Sequence, residues 1–165
     1  MGKTLIVIDT SAIISLGCAV KFHLVKRIFG LHCPTRVKEE LEEISRADDE
    51  IGKIAKEILN YKFIKYHKLP ANLKSILGEV ESVNLAIELK AKIIIMDDAK
   101  SMKKLEAKTD IPILFSSFVI YSLVERKIIS HEEGLSAIEN MKAKRQWKDN
   151  LIIEYAKFLF EKDAK

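Results

Sequence analysis

Acidic residues stand where the chain's short apolar runs break off. Leu5-Ile6-Val7-Ile8 ends in Asp9, and Lys92-Ile93-Ile94-Ile95-Met96 ends in Asp97-Asp98. Both runs are rich in β-branched residues and bounded by polar ones, the pattern of strands buried in a parallel sheet. In open α/β sheets the functional crevice lies at the carboxyl ends of the strands, so Asp9 and Asp98 are expected to meet there. Glu79 falls in the first turn of the helix before the second run, where the helix dipole favours a carboxylate. Glu40 falls on a helix that starts just past another strand and can reach the same crevice. Hard oxygen donors gathered without a neutralising Lys or His suit Mg²⁺ or Mn²⁺. Such ions activate water and stabilise in-line displacement at a phosphodiester.

The elements that must position these acids alternate along the chain. Helical spacing follows Asp9 over 10–20, with Thr10 or Ser11 as cap, and again over 21–29. A brief strand over 31–33 leads to Pro34, favourable in the first turn of a helix over 35–46. Asp48 or Asp49 opens a helix that runs to Asn60, and 61–67 alternates as a third strand. A short helix running to Leu77, a strongly apolar helix over 79–90, the strand 92–96 and a Lys-rich helix over 99–107 come next. The segment 111–115 reads as an edge strand that tolerates Pro112. Ser116 or Ser117 caps a helix that ends at Arg126, and Ser130 with Glu133 forms a capping box. A final helix starts at Asp149 or Asn150, its apolar face carrying Leu151, Ile152, Tyr155, Phe158 and Leu159. The reading is an α/β fold, a three-layer α/β/α sandwich around a central, mainly parallel sheet, with C-terminal helices packed on it.

A chain of 165 residues, 48% of them hydrophobic, suits one domain with a real core and excludes a disordered protein. No apolar run approaches a membrane span, and 5–8 is too short for a signal-peptide core, so a cytoplasmic protein is expected. Cys18 and Cys33 form neither a CxxC pair nor a metal cluster and read as buried small hydrophobes. Gln146 is the sole Gln while Lys, Glu and Ile abound, a bias resembling that of thermophile proteins. The four histidines are scattered, and no Gly-rich phosphate loop is present, which argues against an NTPase or a dinucleotide-dependent oxidoreductase.

The stretches IVIDTSAII, CPTRVKEEL and GEVESVNLAIELKAKIIIMDD, in that order over roughly the first 120 residues, resemble a PIN domain. This is the fold of VapC-type toxins and of several RNA-processing nucleases, and the Gly-Glu-x-Glu and Asp-Asp spellings are similar to a prokaryotic subgroup of predicted nucleic-acid-binding proteins. The resemblance implies a PIN-like nuclease domain over residues 1–125 and a helical extension over 126–165 packed on the same domain. It implies a metal-dependent ribonuclease, with Asp9, Glu40, Glu79 and Asp98 as the catalytic and metal-binding acids. It also implies a homodimer and, for a toxin, an antitoxin partner. The apolar helices after residue 116 offer a surface for either.

Other residues stay open at this stage. Ser11 lies beside Asp9, Asp97 reads equally as ligand, supporting partner or cap, and Glu81 points away from Glu79 on a helix. Lys100, Lys103 and Lys104 near the expected crevice, and Lys144 and Arg145 beside Trp147, are candidate contacts for single-stranded or structured RNA. A solvated basic face is the plainer reading of both. Two other functions compete: a noncatalytic RNA-binding or regulatory protein of the same fold, and a phospho-acceptor receiver domain. The second leaves Glu40 and Glu79 unexplained and lacks an evident late-strand Lys and switch hydroxyl.

Overall fold

The computed structural model describes residues 2–162. Its strands are β1 (Thr4–Ile8), β2 (Phe29–Pro34), β3 (Lys65–His67), β4 (Ile93–Ile95) and β5 (Ile113–Leu114). They form one sheet in the order β3-β2-β1-β4-β5, every pairing parallel. Val7 lies opposite His32 on one side of β1, and Ile8 opposite Ile95 on the other. The chain moves outward from β1 through β2 to β3, then crosses back to lay down β4 and β5. The order reverses between β1 and β4, where open α/β sheets leave their crevice.

The helices are α1 (Thr10–Ala19), α2 (Thr35–Ile44), α3 (Glu50–Leu59), α4 (Gly78–Leu89), α5 (Ala99–Leu105), α6 (Ser116–Glu125), α7 (His131–Lys144) and α8 (Leu151–Lys162). Strand alternation divides them between the two faces. Ile6, Ile8 and Ile95 pack into a core with residues of α1, α3, α6, α7 and α8. Val7, Ile94 and Met96 pack into a second core with residues of α4 and α5. This is the three-layer α/β/α sandwich expected. All six of these side chains are fully buried, and burying each such side chain contributes about 1.5–3 kcal/mol.

Several boundaries differ from the sequence reading, each for a local reason. The helix expected over 21–29 is a 3₁₀ turn, Phe22–Arg27, and Phe29 instead opens β2 opposite Thr4. The strand expected over 61–67 shrinks to Lys65–His67, because Tyr61 and Phe63 turn inward to stack on Phe22 at 5.7 and 6.0 Å. The short helix expected before Leu77 is a single 3₁₀ turn, Ala71–Leu73, and α5 ends at Leu105 before another. The strand expected over 92–96 keeps ladder pairing only over Ile93–Ile95, and the edge strand only over Ile113–Leu114. Pro112, without an N–H, still accepts a hydrogen bond from Ile94 at its carbonyl.

The caps are also redistributed. Pro34 closes β2 and precedes α2, and Asp49 caps α3 through the Gly52 amide at 2.7 Å. Asp9, not Thr10 or Ser11, caps α1, and Phe115 precedes α6 without a side-chain cap, Ser116 being used elsewhere. Ser130 and Glu133 do form a capping box, and Asn150 accepts from the amides of Ile152 and Ile153.

The C-terminal helices are built into the first core. Gly134 lets α7 lie close to its neighbours: a Cβ there would stand 2.5 Å from Val124 and 2.9 Å from Phe160. On α8 the buried face is Ile152, Ile153, Ala156, Leu159 and Phe160, whereas Leu151 and Phe158, expected inward, are 57% and 59% exposed. Much of the apolar surface expected for self-association is thus spent inside the chain. Among the described residues no helix is long and apolar enough to cross a membrane.

Candidate active site

Three helix N-termini converge at the carboxyl edge of β1 and β4. Asp9 leaves β1 and caps α1, accepting from the Ala12 amide at 2.9 Å, while its own N–H donates to the Ile95 carbonyl at 3.1 Å. Asp98 follows β4 and caps α5, accepting from the amides of Lys100 and Ser101. Glu79 lies in the first turn of α4. Asp9 and Asp98 thus satisfy orphan amides at the positive ends of their helices, and Glu79 stands in the first turn of α4, which offsets part of the cost of crowding negative charge. Capping also fixes the direction of Asp9 and Asp98 at the ends of β1 and β4.

One cavity of about 300 Å³ is lined by Asp9, Glu40, Glu79 and Asp98, together with Thr10, Ser11, Ile14, Ile44, Gly78 and Arg145. The four acids singled out in the sequence therefore share one pocket. Glu40 reaches it from α2, held by the Thr10 hydroxyl and, at 3.2 Å, by Arg36 Nε. Ser101 Oγ stands 2.8 Å from Asp98 Oδ2 and 3.1 Å from Glu79 Oε1. Its one proton can serve only one of these carboxylates at a time.

Burial pushes the Asp9 carboxyl up to about 8, and the charges of Asp97 and Glu79 add to it against the hydrogen bonds from Ala12 and Ser11. Asp97 is raised too, by burial, although Ser116 donates to it from its amide at 2.8 Å and its hydroxyl at 2.7 Å. Asp98 goes the other way. Its slight burial works against the shift, but the Ser101 hydroxyl and the amides of Ser101 and Lys100 hold it below the ordinary carboxylate range.

Of the supporting candidates, Ser11 and Asp97 are in place. Ser11 Oγ donates to Asp9 at 3.1 Å and accepts from the Asp97 N–H at 3.3 Å. Asp97 thereby ties the end of β4 to α6 through Ser116, and to α1 through Ser11. Glu81 lies elsewhere. It is buried and turned to the Ser75 amide at 2.9 Å, fixing the segment that enters α4, and it does not line the pocket.

The candidate RNA contacts divide as well. Lys100, Lys103 and Lys104 are exposed on α5, which starts at Asp98, and among the described residues they form no ion pair. Lys144 is drawn to Glu50 at 3.3 Å, away from the acids. Arg145 lines the pocket itself. The sequence reading expects no neutralising Lys or His among the acids, and the cations found beside them are arginines, Arg36 against Glu40 and Arg145 on the pocket lining. Arg36 was legible as the i,i+4 partner of Glu40, and Ser101 as the third residue after a capping Asp; Arg145 was singled out beside Trp147, but nothing local placed it at the acids.

The donor set suits a hard divalent cation, since it is carboxylate oxygen throughout and contains a buried acid short of positive charge. Among the described residues no three His, Cys, Asp or Glu side chains stand close enough together to hold an ion as they lie. Each carboxylate is instead turned to a protein donor, Asp9 to Ala12, Glu40 to Thr10, Asp98 to Ser101.

The thiols and histidines lie outside this chemistry. Cys18 and Cys33 are free and buried. His32 and His67, neighbours on β2 and β3, meet ring nitrogen to ring nitrogen at 2.8 Å.

A family model described as a PIN domain matches residues 5–161, which includes the C-terminal helices. No curated protein and no solved structure matches the chain.

Proposed function

The chain belongs to the PIN-domain family, whose members are commonly nucleases that use divalent metals, and on that premise we propose that it is an Mg²⁺- or Mn²⁺-dependent endoribonuclease. What supports the reading is one observation: acids from four distant stretches of sequence line a single pocket at the reversal point of the sheet. A site without chemistry has no reason to hold carboxylates where they repel one another.

In this reading Asp9, Glu40, Glu79 and Asp98 would hold the cation. When bound, the ion supplies Lewis-acid stabilisation of the phosphodiester under attack and an activated water. The chain's own groups prepare the site. Thr10 and Arg36 keep Glu40 directed into the pocket, and the α5 amides with Ser101 keep Asp98 ionised. Burial favours the protonated form of Asp9 while no cation is near, and its carboxyl would give up that proton to serve as a ligand. Exposed Lys100, Lys103 and Lys104 steer the RNA backbone toward the acids.

The toxin role belongs to the same proposal, as do an antitoxin and a homodimer. Growth arrest on expression that Asp98→Asn relieves would support the first, and the mass of the particle in solution would decide the last.

The fact that no three acids converge as they lie favours a second reading, a noncatalytic RNA-binding protein of the same fold. Incubation with single-stranded RNA and the matching DNA, in EDTA and in Mg²⁺ or Mn²⁺, separates the two. The nuclease reading expects RNA cut only with the ion; RNA bound and left whole under every condition selects the second.

A further inference from the structure

The geometry points to Arg145, carried by the C-terminal helices, as the group that grips a substrate phosphate at the acidic pocket; this rests on the nuclease reading above. Arg145 ends α7. After it the chain reverses in a Schellman turn: Gln146, at a positive φ of 53°, donates to the Ala143 carbonyl, and Trp147 to the Lys142 carbonyl, each at 3.0 Å. The reversal brings the Trp147 ring under the guanidinium, 5.2 Å from ring centroid to Cζ. A cation on an aromatic face is held in place without a hydrogen bond, so its donors stay available.

Those donors are left unspent. Arg145 shares the pocket with Asp9, Glu40, Glu79 and Asp98, yet among the described residues it forms no ion pair within 4 Å, and its buried Nε has no hydrogen-bond partner. A buried N–H without a partner is costly, which makes an orphan beside a pocket a sign of a ligand. Its neighbours are occupied by contrast: Lys142 pairs with Asp149 at 2.7 Å and Lys144 with Glu50 at 3.3 Å. A planar fork of N–H donors on the lining of this pocket fits a phosphodiester, whose oxygens it can take in two parallel hydrogen bonds. The helical extension then completes the site rather than only covering the sheet.

Binding of a short mixed-sequence single-stranded RNA, followed in EDTA over a range of salt, reads this contact apart from cleavage. Arg145→Gln is expected to weaken binding about tenfold and to flatten the plot of log Kd against log salt by about 0.7, the worth of one phosphate on a single strand. Arg145→Lys keeps the slope but binds less tightly and cuts more slowly, because it keeps the charge and loses the fork. Lys92→Gln removes the same charge at the amino end of β4, on the opposite edge of the sheet, and leaves the slope alone. Folded Arg145→Gln with wild-type slope and cleavage overturns the inference while the nuclease reading stands. So does Arg145→Lys with wild-type affinity and rate, or Lys92→Gln with as large a loss of slope. Wild-type chain that neither binds nor cuts RNA removes the nuclease reading and this inference together.

Discussion

Gly78 leaves the space that the Glu40 carboxylate occupies: a Cβ built on Gly78 would stand 2.8 Å from Glu40 Oε1. The obstacle is the far end of a flexible side chain, so the fold can absorb it. Gly78→Ala is therefore expected to melt within a few degrees of the wild type and to cut RNA about tenfold more slowly, since a small displacement of a positioned group costs rate steeply. Melting temperature and single-turnover rate, measured side by side, check this. Equal loss of both would mean that Gly78 matters to folding alone.

Asp9 should give the opposite signs for activity and stability. Its carboxyl sits near 8 in the folded chain against an ordinary 3.8. Between those values the folded chain holds a proton that the unfolded chain has released, so stability falls as pH rises through the window and levels off above it. Asp9→Asn removes the penalty and can keep the bond from the Ala12 amide. In EDTA at about pH 8 the variant is expected to melt several degrees higher, each 1 kcal/mol being worth about 2–4 °C in a chain of this size. The difference should vanish toward about pH 4. Divalent cation should raise the melting temperature of the wild type and not of the variant.

Glu79 and Glu81, two residues apart, should separate cleanly. Glu81 satisfies the Ser75 amide outside the pocket, so Glu81→Ala is expected to cost about 1–3 kcal/mol of stability and keep most of the cleavage rate. Glu79 lines the pocket, and Glu79→Gln is expected to keep stability and lose the rate. Denaturant unfolding and cleavage of the two variants test the contrast.

Strand runs and helix order were legible as local signals, and so were Asp9, Asp98 and Glu79, as an apolar run ending in a carboxylate or an acid in a first turn; Glu40 was singled out by the resemblance that CPTRVKEEL carries. Glu81 showed only that it lay on another face than Glu79; that it bonds Ser75 depends on the path of the 74–77 segment. The role of Ser116 was misread as a cap because its partner, Asp97, lies 19 residues away. Arg145 could not be placed at all. Its position depends on how α7 docks on α1 and α6, and on a left-handed Gln146 where a glycine would have marked the turn. The shortening of β3 has a similar cause, as Tyr61 and Phe63 stack on the distant Phe22 ring.

The His32–His67 pair predicts sensitivity to acid. Burial lowers both imidazoles below their ordinary 6.5, and for His32 the charges of His67 and Lys65 add to it. As pH falls below about 6.5 the unfolded chain takes up protons first, so stability is lost with acid across that window. The double variant His32→Phe, His67→Phe keeps two stacked rings without the titration. Its melting temperature is expected to fall less than that of the wild type between about pH 7 and pH 5.

The most direct test is single-turnover cleavage of one single-stranded RNA in Mn²⁺ by the wild type, Asp9→Asn and Asp98→Asn, each shown to be folded. The wild type is expected to cut until EDTA stops it, and each variant to lose at least about a hundredfold in rate. Cutting at wild-type rate by both folded variants would contradict the assignment of these acids, because the pocket they line would then have no part in the reaction.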